Sequence, residues 1–280
     1  MERPSFVAEL DRHVVICNCN EKVKRIVEEL QGPTVVDPPD VVLVYNERSR
    51  LWQRNSHWHP AEDRPRGELK DGSGPPRFAA VAGQVTSAED LKEVGIHRAR
   101  AAVILADPTL GELADARSTL AAIAIERENP HVQTIMELIA SVNRVHLEAT
   151  EINEVICGGE VAEKLIAQSC ITPGVKNIFS RLLATDLATE QIYLPALPTK
   201  VEGIAYGNLQ LALIEAEAPF LLFGFVRKLT GDSERKKASN LYVLNPAKGR
   251  DPGARTHLQQ TDRLVVIAKR RPEIEAFLPD

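Results

Sequence analysis

The run His13-Val14-Val15-Ile16-Cys17, followed at once by Asn18-Cys19-Asn20-Glu21-Lys22 and a helical pattern, constrains this chain more than any other segment. Five residues with an apolar core predict a buried strand. Val23, Ile26, Val27 and Leu30 recur at helical spacing and predict an amphipathic helix packed back on it. A strand, a tight turn and a helix make the opening unit of a nucleotide-binding α/β sheet. In such units glycines let the backbone close around a pyrophosphate at the helix N-terminus. Here every position of the turn carries a side chain, so the scaffold is expected without its usual phosphate cradle. Asn18 and Asn20 tolerate left-handed backbone and could still form the turn.

The pattern repeats downstream. Val41-Val42-Leu43-Val44-Tyr45 is continuously apolar, as a strand buried on both faces of a parallel sheet must be. Strands are expected at 78–82, 101–105, 132–136 and 154–156, alternating with helices at 88–94, 110–128 and 143–149. That alternation predicts a Rossmann-like, doubly wound parallel sheet with right-handed crossovers. Gly158-Gly159 then punctuates the chain, and two helices at 160–170 and 175–183 flank Thr172-Pro173-Gly174. Strands at 191–194, 220–226, 240–244 and 263–268, with one helix at 205–215, make a smaller α+β C-terminal lobe. The domain reading is therefore 1–157 for the Rossmann-like lobe, 158–187 for the crossover helices and 188–280 for the C-terminal lobe. From Asn46 to Arg77 the chain is rich in Pro, Gly, Arg and Asp and holds both tryptophans, Trp52 and Trp58, as expected of a long functional or unstructured loop. The tryptophans are placed to dock that loop on the lobe or on a neighbouring subunit.

Composition excludes several classes. The formal charge of −5 gives no general pull toward nucleic acid. Arg235-Lys236-Lys237 and Lys269-Arg270-Arg271 read as solvated loop and strand-end charges. Four cysteines in 280 residues form no disulfide framework, which suits a reducing compartment. No apolar run approaches the roughly 18 residues that span a bilayer, and Met1-Glu2-Arg3-Pro4 does not open a signal peptide. Cys17-Asn18-Cys19 reads as buried packing, its sulfurs expected on opposite faces, and His57-Trp58-His59 as a solvated pair of imidazoles. No nucleophile elbow, P-loop or His-Glu-x-x-His motif is present, so catalysis is not expected.

Three segments together resemble the RCK family, the regulators of potassium conductance. They are His13–Cys17 with its glycine-poor turn, the block from Gly83-Gln84-Val85-Thr86 through Asp90-Leu91, Gly95-Ile96 and Ala99–Leu105, and the helix Asp115–Ile125 that opens on an acid. The closing strand near Gln260–Ile267 is similar to the family's more loosely. The resemblance, to the ligand-gated potassium channel branch, implies a cytoplasmic gating-ring module at the inner face of the membrane. Its pairs exchange the crossover helices, and a homo-oligomeric, octameric ring forms beneath a pore partner with no membrane insertion of its own. It implies Ca2+ or another divalent cation as effector, with Asp115 and Glu137 matched by position and Glu112 nearby, although Ile139 stands where a second acid is expected. Dinucleotide-binding branches keep the glycine turn and an acid after the second strand. Glu47 lies near that position, so Glu47, Asn18 and Asn20 would serve a nucleotide, but the filled bend argues against NAD. The alternatives are a nucleotide-sensing peripheral subunit of a potassium uptake transporter and a diverged dinucleotide-dependent oxidoreductase.

Overall fold

The computed structural model describes residues 5–35, 37–55, 77–147, 150–185, 189–229, 239–246 and 256–278. His57, Trp58, His59 and the Arg235-Lys236-Lys237 cluster lie outside them. The chain divides into two compact units, Met1–Lys176 and Asn177–Asp280.

In the first unit the elements are β1 (Val14–Cys17), α1 (Val23–Leu30), β2 (Val41–Tyr45), α2 (Arg50–Asn55), β3 (Phe78–Ala82), α3 (Ala88–Glu93), β4 (Ala101–Ile104), α4 (Leu113–Glu128), β5 (Gln133–Leu138), β6 (Glu154–Cys157) and α5 (Gly158–Ile171). All six strands are parallel, in the order β3-β2-β1-β4-β5-β6. Strand order therefore reverses between β1 and β4, where Val14 is in register with both Val41 and Ala101. In open α/β sheets the crevice beyond the carboxyl ends at such a reversal is where ligands bind.

Every residue of β1 and β2 is buried, and alternation deals them to two cores. Val15, Cys17, Val42 and Val44 pack with Leu91 and Val94 near α3 and with Ala121, Ala122 and Ile125 of α4. Val14, Ile16, Val41, Leu43 and Tyr45 pack on the other face with Val23 and Val27 of α1. The small side chains of α4 let that helix sit close to the sheet. Cys17 and Cys19 fall in different cores, because Asn18 (φ 70°) breaks the strand alternation between them.

Local chemistry sets the element ends. Ser87 accepts from the Asp90 N–H at 3.3 Å and caps α3, while the Asp90 carboxylate accepts from the Gln84 N–H at 2.6 Å. Gly95 adopts φ 69°, and a Cβ there would come 3.3 Å from the buried His13 ring. His13 Nε2 donates to the Val94 carbonyl at 2.8 Å, and burial lowers its pKa from the ordinary 6.5. Two expected helices start or wind differently. The helix expected from 110 begins at Leu113, because Asp107 folds Pro108–Leu110 into a separate 3-10 turn by accepting from the Thr109 N–H and hydroxyl. The segment expected as a helix from 143 is a 3-10 run, Ser141–Leu147. Within the expected loop after β2, Arg50–Asn55 is helical, and Trp52 stacks on Tyr45 with ring centroids 3.4 Å apart, docking the start of that loop as the sequence predicts.

Helix α6 (Val175–Leu182) crosses the division between the units. The second unit contains β7 (Gln191–Tyr193), α7 (Tyr206–Glu215), β8 (Leu221–Leu229), β9 (Ser239–Leu244) and β10 (Arg263–Ala268). Its sheet is antiparallel, in the order β7-β10-β8-β9, with an irregularity at Val265/Val266. Tyr206, Leu209 and Leu213 of α7 share its core with Leu222, Phe225, Leu264 and Val266. Gly224 is required by β9, since a Cβ there would meet the Val243 carbonyl at 2.1 Å.

The buried charge in this unit is Asp262, fully covered and held bidentately by Arg227, with Nε–Oδ1 at 2.8 Å and NH2–Oδ2 at 2.6 Å. The same guanidinium donates to the His257 carbonyl at 2.8 Å and lies over the Phe225 ring. Removing one partner of a buried pair strands the other charge. Arg227→Met is therefore expected to destabilise the second unit by about 3–5 kcal/mol, read as an earlier urea transition. The double variant that also carries Asp262→Leu should recover most of that loss.

Candidate functional site

The bend after β1 is built from side chains where backbone alone would be expected. Asn18 takes the left-handed conformation anticipated for it; its N–H donates to the Val44 carbonyl at 3.0 Å and its Nδ2 to the Leu105 carbonyl at 2.9 Å. Asn20 is buried and does three things at once. Its Oδ1 accepts from the Lys22 N–H at 3.0 Å, and its Nδ2 donates to the Ala106 carbonyl at 3.0 Å and to Glu137 Oε2 at 3.1 Å. Glu137 Oε2 also accepts from the Ala106 N–H at 3.1 Å, and Oε1 pairs with the Lys22 ammonium. A carboxylate of the chain itself thus sits among the donors at the switch point. It draws the ends of β1, β4 and β5 together and offsets a lysine at the start of α1, where a cation is disfavoured by the helix dipole.

Asp115 makes a second clamp one helix away. It is buried in the first turn of α4, and its Oδ1 accepts from the Ile139 N–H at 2.8 Å. Oδ2 accepts from the Ala140 N–H at 3.1 Å and from Asn143 Nδ2 at 2.7 Å. This explains why Ile139 can stand where another acid is expected: the position serves through its backbone N–H.

Two of the three acids grouped for a divalent cation are therefore separately employed. Glu137 holds the bend, Asp115 holds the loop after β5, and Glu112 is exposed at the N-cap of α4 without a side-chain cap bond. Among the described residues no three His, Cys, Asp or Glu side chains converge as a metal would need. A calcium ion wants six to eight oxygens, and this donor set does not fit one. Glu47 is exposed; its backbone carbonyl accepts from Gln53 Nε2 at 3.5 Å. Burial pushes the Cys17 thiol up to about 12 and the Cys19 thiol up to about 11, far from thiolate chemistry at neutral pH.

Beyond the bend a cleft of about 420 Å³ opens at the switch point. Asn18, Asn46, Ser49 and Thr109 line it together with Arg48 and Arg117, while Asp107 at its edge is taken up by Thr109. Sequence reasoning passed over Arg48, Arg117 and the role of Glu137. The one signal available was Lys22, a cation opening a helix with no acid of the same helix placed to offset it.

Residues 9–136 match the family model described as calcium-activated potassium channel slowpoke-like RCK domain. Residues 9–136 form an RCK domain. Its relatives include the calcium-gated potassium channel TvoK of Thermoplasma volcanium, 25% identical over 186 residues, covering 65% of this chain and 47% of that one. Potassium channel subfamily U member 1 of Rattus norvegicus is 29% identical over 110 residues, covering 36% of this chain and 10% of that one. The calcium-activated potassium channel slowpoke of Drosophila melanogaster is 28% identical over 113 residues, covering 36% of this chain and 9% of that one. The chain thus spans less than half the length of these relatives. Among solved structures, the human SLO3 gating ring shares the fold, with a TM-score of 0.57 over 91% of this chain and 44% of that chain, at 16% identity. The RCK resemblance and the two-lobe fold expected from sequence are both upheld. No helix among the described residues is long and apolar enough to cross a membrane.

In this RCK domain the Asp115 clamp is expected to be structural. Asp115→Asn turns one acceptor oxygen into a donor facing backbone N–H groups, which should cost about 1–3 kcal/mol. The check is urea unfolding combined with amide exchange, which should quicken at Ile139 and Ala140.

Proposed function

We propose that this chain is the regulatory, gating-ring part of a potassium channel, acting in the cytoplasm at the inner face of the membrane through a pore partner, and acting by binding rather than catalysis. The observation that carries the reading is the state of the crossover helices. Neither α5 nor α6 contains a buried residue, yet Val161, Ile166, Ile171, Ile178 and Phe179 are apolar and exposed on them. A 14-residue helix with nothing to pack on is marginal in water. A second copy of the chain supplies the missing cover, through a two-fold interface in which each subunit offers the same patch.

A further apolar surface lies elsewhere on the first unit, where Leu113, Leu120 and Ile123 of α4 are exposed, as are Val142 and Val145 of the 3-10 run. Two separate self-complementary patches allow pairs to close into a ring, here proposed to be octameric. A ligand that favours one ring shape over another then biases the pore by its difference in affinity for the two. The names of two relatives support calcium, or another divalent cation, as that ligand. The Asp115, Glu137 and Glu112 carboxylates do not supply its site as they stand.

A second reading, a nucleotide-sensing subunit of a potassium uptake transporter, is favoured by Arg48 and Arg117 in the switch-point cleft, which suit an anionic ligand. The oxidoreductase alternative draws no such support, because the Asn18–Lys22 bend lacks the glycines that let a cofactor diphosphate approach the backbone.

Light scattering of the purified chain tests the main reading. Masses of a dimer and of an eight-copy ring are expected, shifting between them with calcium, and Ile166→Asp with Phe179→Asp should reduce both to smaller species. A monomer at every concentration would overturn it. An Asp115→Asn protein that shifts with calcium as the parent does is expected, placing the cation away from α4.

A further inference from the structure

Strand β10 ends at Ala268, and the next three residues, Lys269, Arg270 and Arg271, are cationic and exposed. A solvated strand end needs nothing more, but here the three border a cavity of about 630 Å³ within the second unit. Its floor is apolar. Phe220 and Phe277 meet edge to face with centroids 5.6 Å apart, and Ile267 and Leu221, paired across β10 and β8, continue the surface. The floor and the rim thus differ in kind, aromatic and aliphatic below, guanidinium above.

The rim's acids do not neutralise it. Glu190 is bound by Arg181 at 3.3 Å. Its carboxyl is held below the ordinary range first by its own backbone N–H, then by Arg181 and Lys269. Glu273 is exposed at the lip. Arg270 and Arg271 have no hydrogen-bond or ion-pair partner among the described residues. A guanidinium fork suits a carboxylate or phosphate bidentately, and pockets of roughly 300–1,000 Å³ suit small organic ligands.

We infer that this cavity binds an anionic amphiphile, a single carboxylate or phosphate head on an apolar body, with the head on Arg270 and Arg271 and the body over the Phe220–Phe277 pair. The site is independent of the switch-point cleft and of the assembly reading. A lipid-derived acid and a phosphorylated apolar metabolite share this chemistry.

Calorimetric titration of the whole chain tests it with decanoate, decyl phosphate, decanol, decyltrimethylammonium and inorganic phosphate. Saturable binding of one equivalent of either anion is expected, roughly tenfold or more tighter than decanol, with the cation and inorganic phosphate silent. The tighter of the two anions names the headgroup. Arg270→Gln with Arg271→Gln, both at exposed positions, should reduce anion affinity to that of decanol. Leu221→Asp, also exposed, should weaken all apolar ligands while the thermal transition stays in place. Decanoate binding no tighter than decanol, inorganic phosphate binding as well as decyl phosphate, or unchanged affinity in both variants would each overturn the proposal.

Discussion

The Glu137 carboxylate, held by Asn20, Lys22 and the Ala106 N–H, is the interaction on which the rest of this structure turns. A doubly wound sheet leaves N–H donors and a helix terminus converging where its strand order reverses, and that convergence attracts an anion. In a dinucleotide enzyme the anion arrives with the cofactor. Here the Glu137 carboxylate of β5 joins the carboxyl ends of three strands.

Much of this architecture was legible because it is local. Continuous apolar runs fixed β1 and β2, and in the sequence Ser87 stands just before α3 and Pro130 just past the end of α4. Left-handed backbone at Asn18 was likewise readable, since few residues other than glycine accept it. The site was less so, because its bonds are long-range: Asn20 and Glu137 lie 117 residues apart, and nothing near either announces the other. Asp115 and Glu137, expected as metal ligands, lie in the first turn of α4 and near the carboxyl end of β5. Their partners, backbone N–H groups of Ala106, Ile139 and Ala140, carry no sequence signature, so acceptors of hydrogen bonds read as candidate ligands of a metal.

The second unit obeys a different logic. Its sheet is antiparallel and its charge is buried as a pair, Arg227 with Asp262, rather than at a sheet edge. Between the two sheets the chain runs through helices that bury nothing of their own. These unburied helices suit the proposed assembly, in which other copies of the chain would cover them and a change in their arrangement would be the output.

The proposal that the Glu137 carboxylate stands in for a cofactor diphosphate at the switch point is tested most directly by equilibrium dialysis of the purified protein against labelled NADH. The account predicts no saturable binding. Saturable binding of NADH, with its diphosphate found at the Asn18–Lys22 bend in crystals of the complex, would contradict it.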